Sequence, residues 1–170
     1  LEDCINSDLA NNYGNLCQRV TAFAIKNCDG KIPLEVKFND EDLLILNKYK
    51  DNLDNIRSQI DNQNINFYID YIVNSLFEAN KYFNDQEPWK KKDDLTRLNT
   101  IVYTTLEIVR KISFLLYPII PESSLKALKI FDIEENKIEL HTITNNEYLT
   151  KGNNLNKIDI LFKKVEKNND

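Results

Sequence analysis

The chain of 170 residues has no methionine, one tryptophan, one histidine, three glycines and four prolines. So little glycine and proline leaves few sites for tight turns and argues for long regular elements. No apolar run approaches the ~20 residues that span a bilayer, and no signal peptide is visible. Cys4, Cys17 and Cys28 are an odd number without a Cys-x-x-Cys pair. That is the pattern of free thiols in a reducing cytosol rather than of a disulfide framework. Zinc would need clustered ligands, and the only histidine is His141. An excess of positive charge is also missing. A net charge of −5 argues against a protein held to nucleic acid by bulk electrostatics, so any RNA contact must be local and specific. With no Met at its start and a helical pattern already under way at Leu1, the sequence reads as a piece of a longer polypeptide.

What is present is a core. Hydrophobic residues make up 42% of the chain, with eight Tyr and eight Phe for bulk, enough for one domain. The 24 Asn, with abundant Lys and Ile, suit an AT-rich bacterial genome. Helical periodicity dominates. A first helix is expected over about residues 3–28, ended by Asp29-Gly30, with Gly30 suited to a left-handed C-terminal position. A second starts after Asn39 or Asp40 and buries Leu43, Leu46, Leu53, Ile56 and Ile60, its first turn carrying Asp40, Glu41 and Asp42. A third buries Ile65, Tyr68, Ile69, Ile72, Leu76 and Phe83 and stops before Pro88. Asp93 or Asp94 opens the fourth, whose apolar residues nearly encircle it and place it at the centre; Pro118 bends or ends it. A short fifth helix is expected over about residues 122–131, with Pro121 in its first turn. Beyond residue 133 the pattern weakens, and residues 137–143 and 157–165 alternate as strands or an extended tail would. The expected fold is all-α: an antiparallel helical bundle of about five helices, residues 1–134, followed by an extended or weakly β tail, residues 135–170.

One polar feature stands out. Asn11, Asn15 and Arg19 are spaced four apart, which stacks them in one row on a helix whose other side is Leu9, Tyr13, Leu16, Val20 and Phe23. A solvated helix face is the bland reading, although asparagine weakens a helix interior by a few tenths of a kcal/mol relative to alanine. Amides and a guanidinium can also read the edge of an unpaired base, and Trp89, which follows Pro88 at the junction of the third and fourth helices, could supply a stacking surface. A tryptophan capping the core is the bland reading there. Lys90, Lys91 and Lys92 come next; they are ordinary solvent-facing residues or could meet phosphates.

Taken in order, five segments resemble the C-terminal anticodon-binding domain of methionyl-tRNA synthetase, a class I aminoacyl-tRNA synthetase. They are Asp8-Leu9-Ala10-Asn11-Asn12 with Gly14-Asn15-Leu16 and Arg19; Gly30-Lys31-Ile32-Pro33; Asn80-Lys81-Tyr82 through Pro88-Trp89; Leu115-Leu116-Tyr117-Pro118-Ile119-Ile120-Pro121; and Leu161-Phe162-Lys163-Lys164-Val165-Glu166. The resemblance implies a helical bundle behind a catalytic domain, with Asn15 and Arg19 contacting the first base of the CAU anticodon. Trp89, after Pro88, would stack on that base, and Asn11 would shape the site. It also implies that residues after about 134 fold back toward the catalytic domain, that tRNA(Met) and that domain are the partners, and that the parent is a cytoplasmic methionine–tRNA ligase using ATP with Mg2+. The lysine run has no counterpart role in the family.

The class I catalytic signatures and a phosphate-cradling glycine loop are not found in the sequence, so this segment alone is expected to bind tRNA weakly, to hold no cofactor or metal and to catalyse nothing. Two other readings stay open: the homologous helical domain of another class I synthetase, such as those for cysteine or leucine, and a helical protein-interaction scaffold.

Overall fold

The computed structural model describes residues 2–157, with side chains from residue 7 onward. Six α-helices run as α1 (Glu2–Asn27), α2 (Asp40–Asp51), α3 (Leu53–Asp61), α4 (Ile65–Gln86), α5 (Leu95–Leu116) and α6 (Pro121–Leu128), and the described residues include no strand. Their ends follow local chemistry. Asp29 and Gly30 both take left-handed φ, 57° and 68°, and stop α1. Asn39 and Asp42 form a reciprocal capping box on α2. Asp94 caps α5, and Pro121 occupies the first turn of α6.

The expected second helix is two helices. At Asn52 both the backbone N–H and the side-chain amide turn back onto the Lys48 carbonyl, at 3.1 and 2.7 Å. An asparagine side chain competing for a helical carbonyl is a known way to end a helix. Ile60, near the end of α3, is 39% exposed, and Ile65, at the start of α4, is 55% exposed. Both were expected in the core, and both sit at helix ends around the exposed turn at residues 62–64, where no neighbouring element covers them.

α5 is the centre: every residue from 100 to 116 is buried, with α1, α2, α4 and α6 packed round it. Total burial includes Glu107, Arg110 and Lys111. Arg110 donates to Glu107 at 2.7 Å and to the carbonyls of Thr142 (3.0 Å) and Asn145 (2.7 Å), with its guanidinium over the Tyr148 and Phe114 rings at 4.4 and 5.2 Å. Glu107 accepts the Leu149 N–H at 2.7 Å. Lys111 donates to the Leu46 carbonyl at 3.2 Å and to Asn146.

No strand forms over residues 137–143; Arg110 bonds Thr142 there. The segment makes short 3-10 turns (Glu135–Lys137 and Leu140–Thr144) and further turns at residues 146–147 and 151–152, burying Ile143, Leu149 and Leu155 against the bundle. Side chains of α5 take the place of a sheet neighbour for its backbone groups. Among the described residues the only strand-like pairing is an isolated antiparallel bridge, Lys31 with Asn154. Residues 158–165, part of the second alternating stretch, lie outside the described residues.

Two outcomes follow from the buried charges. Glu107→Ala leaves Arg110 without its anion, and breaking a buried pair in this way costs roughly 3–5 kcal/mol; a urea unfolding midpoint equal to that of the wild type would refute the arrangement. Burial, aided by Arg110, pushes the Lys111 ammonium down to about 7. The unfolded chain holds that proton up to about pH 10.4. The penalty for charging Lys111 in the folded state is therefore present below pH 7 and fades as pH rises toward 10. Wild type should gain Tm relative to Lys111→Met between pH 7 and 9.5, and a constant difference would contradict the burial of a charged amine.

Candidate nucleic-acid interface

α1 divides cleanly. Leu9, Tyr13, Leu16, Cys17, Val20 and Ala24 are buried, while Asn11, Asn12, Asn15 and Gln18 are exposed and Arg19 is half-buried. At ~5.4 Å per turn, Asn11, Asn15 and Arg19 form one row along the outer face. Among the described residues, neither the Asn11 nor the Asn15 side chain bonds to another protein group.

Arg19 ends the row against α4. Its guanidinium carbon lies 5.0 Å from the centre of the Phe83 ring and 5.7 Å from that of Trp89, and Nη2 donates to the Asn84 side-chain oxygen. The two rings meet edge to face, centres 6.0 Å apart. Freezing an arginine costs about 2 kcal/mol of rotamer entropy. Two exposed cation–π contacts supply about 0.5–1 kcal/mol each, and the amide bond adds about 0.5–1.5 kcal/mol. Together they offset the entropy, so the guanidinium is held in place while keeping donors for an incoming acceptor.

Trp89 stands on the turn that follows α4. Glu87 adopts a left-handed conformation (φ 47°), and its N–H closes on the Phe83 carbonyl at 3.3 Å. Pro88 is buried and opens the short 3-10 turn Pro88–Lys90. The indole is packed on one edge yet remains 39% exposed. It is thus neither sealed in the core nor turned away from Arg19. Lys91 donates to the Gln86 carbonyl at 2.7 Å and Lys90 pairs with Glu87 at 3.2 Å, so two of the three lysines brace the turn.

The structure therefore joins Arg19 and Trp89 directly, places Asn15 and Asn11 one and two turns along the same row, and puts Pro88 beneath as a buried support. Sequence reasoning missed two members. Phe83 was read only as a core residue, and it is also the floor under Arg19. Asn84 was not singled out; its place beside Phe83, in the same turn of helix, was the available signal. A groove of about 490 Å³ between α2 and α4, with exposed Leu44 and Phe77, includes none of Arg19, Asn84 and Trp89.

A second network lies behind the turn. Asp42 is fully buried, although first-turn acids usually face solvent. It accepts two bonds from Arg97 (2.8 and 3.0 Å), one from the Tyr82 hydroxyl and one from the Asn39 N–H (2.9 Å). Burial alone would raise its carboxyl pKa, but Arg97, Tyr82 and the Asn39 amide outweigh it and hold the group below the ordinary value.

Comparison with known proteins bears on the family of the chain. Residues 32–170 match the family model described as the anticodon binding domain of methionyl tRNA ligase. The methionine–tRNA ligase of Brucella suis biovar 1 is 38% identical over 133 residues, covering 78% of this chain and 26% of that protein. That of Mycobacterium leprae is 37% identical over 138 residues, with the same two shares. Among solved structures, the free form of Mycobacterium tuberculosis methionyl-tRNA synthetase superposes with a TM-score of 0.86 at 32% identity, covering 96% of this chain and 34% of that one. The same enzyme in complex with methionyl-adenylate gives 0.83 at 34% identity, covering 93% and 32%. The chain spans about a quarter of the length of these curated relatives. With its helical order, its outward amide row and this match over most of its length, the chain belongs to the family of methionyl-tRNA ligase anticodon-binding domains.

Proposed function

We propose that the row Asn11, Asn15 and Arg19, with Trp89 on its Pro88 support, reads the first base of the CAU anticodon of tRNA(Met). The carrying observation is the meeting of Arg19 with Trp89 at one exposed edge of the bundle. RNA sequence is usually read on unstacked bases, held on an aromatic and bonded along the Watson–Crick edge. Cytosine offers an amino donor and two acceptors on that edge. Arg19 supplies only donors, while an Asn amide supplies both kinds. Uracil in the same place would set its N–H against a donor, a mismatch of roughly 1–3 kcal/mol. Net negative charge suits a domain whose RNA contact is local rather than electrostatic at long range.

In the parent polypeptide, a methionine–tRNA ligase, this domain would present tRNA(Met) in the cytoplasm to a catalytic domain that joins methionine to it with ATP and Mg2+. Among the described residues no group of three His, Cys, Asp or Glu could hold a metal ion. The tail beyond residue 134 was expected to pack toward the catalytic domain; residues 135–156 instead cover this bundle, burying Ile143, Leu149 and Leu155, and residues 158–170 lie outside the described residues. Asn156 is pinned to the bundle, donating to the carbonyls of Ile130 (2.9 Å) and Lys129 (2.8 Å) and to Asp132 (2.7 Å).

The test is binding of a CAU stem-loop and of its UAU counterpart. Trp89→Ala removes the stacking surface, worth roughly 1–3 kcal/mol per base, so affinity for CAU should fall by about 5- to 150-fold. Arg19→Ala should erase the preference for cytosine. Equal binding of both loops by the wild-type chain would overturn the reading. Asn15→Ala should weaken binding while leaving thermal stability equal or slightly higher, since asparagine in a solvent-facing helix is less favourable than alanine by up to about 0.7 kcal/mol.

A further inference from the structure

The buried Asp42 network ends next to the tryptophan. Arg97, in the first turn of α5, uses Nη1 and Nη2 on Asp42 and shares Nη2 with the Gln86 side-chain oxygen at 2.7 Å. Gln86 is the last residue of α4 and immediately precedes the left-handed Glu87. One polar path therefore runs from the start of α2, through the start of α5, to the end of α4, where the Glu87, Pro88 and Trp89 turn begins. Tyr82, one turn before Gln86, joins the path at Asp42, while the adjacent Phe83 points to the other side and meets Arg19 and Trp89. The end of α4 is thus held on one flank by the carboxylate network and on the other carries the aromatic pair.

Stability is a poor reason for such a network. A buried ion pair can often be replaced by apolar residues of similar volume with no loss, whereas its directional bonds fix geometry. Glu87 gives that geometry something to fix. A non-glycine residue in the left-handed region persists only where its surroundings over-determine it.

We propose that Asp42, Arg97 and Gln86 are positioning residues for Trp89: they lock the end of α4 and so set the angle and exposure of the indole beside Arg19. The bearing on RNA selectivity rests on the anticodon reading given above. The bearing on the indole does not.

Trp89 is the chain's sole tryptophan, so its fluorescence reports the turn with no RNA present. Gln86→Leu keeps much of the side-chain volume and removes the acceptor for Arg97. A red-shifted Trp89 emission and stronger iodide quenching are expected, with affinity for the CAU stem-loop reduced about tenfold and melting within a few degrees of wild type. Gln86→Glu retains the acceptor and should restore wild-type emission. Tyr68→Phe, which removes a buried hydroxyl bond to the Leu115 carbonyl at another place, serves as the control for loosening alone. If Gln86→Leu fails to fold, Arg97→Lys is measured instead; it keeps the charge facing Asp42 and loses the fork that also reaches Gln86. Wild-type emission and quenching in the measured variant would overturn the proposal, as would an equal change in Tyr68→Phe. Should the wild-type chain not distinguish CAU from UAU, the anticodon reading falls, and the RNA-free fluorescence still decides whether these residues position the indole.

Discussion

A helix buried on every side has no solvent to turn its charges toward, and α5 carries three of them at Glu107, Arg110 and Lys111. That constraint organises the molecule. The groups must find partners in neighbouring segments, and they find them in α2 through Leu46 and in the segment from Thr142 to Leu149. The segment after α6 has little regular structure of its own, yet it is fixed. Its carbonyls and N–H groups are bonded by α5 as the strands of a sheet are bonded by each other. Desolvated charges cost several kcal/mol each unless paired, so the bundle and its extended cover form together or lose much of their stability.

The second polar knot, at Asp42, does for one end of the bundle what the first does for its middle. It joins three helix ends, and helix ends carry the backbone groups that most need partners. The candidate interface is built at that end. Its parts are separated by about seventy positions in sequence, Arg19 against Phe83, Asn84 and Trp89, and they meet because α1 and α4 both pack on α5. Reading chemistry from amides and a guanidinium on a helix face needs that scaffold, because a loop of the same composition would hold neither the row nor the ring beside it.

Much of this was legible in the residues. Helix positions, the central place of the fourth expected helix, the stops at Gly30 and before Pro88 and the start at Pro121 all come from local rules that the structure obeys. The nearness of Arg19 to Trp89 came from the family resemblance and not from periodicity. The rest was hidden for identifiable reasons. Asp42 looked like an ordinary first-turn acid, since its burial depends on Arg97, fifty-five positions away. Glu107, Arg110 and Lys111 gave no local signal, since their partners at Leu46 and from Thr142 to Leu149 are distant in sequence. The division at Asn52 went unread, and Ile60 and Ile65 were misplaced because they flank the exposed turn at residues 62–64. Residues 137–143 have strand-like alternation, but a strand requires an edge to pair with, and the bundle offers side chains instead.

The Arg19 guanidinium already rests on two aromatic rings and an amide before any partner arrives. Its torsional freedom is given up when the protein folds. A planar ligand docking there meets a surface that needs no rearrangement, so little of the contact energy is lost to ordering it. Rigid complementarity of that kind sharpens the penalty for an ill-matched edge, because the donors are not free to swing aside and accommodate it.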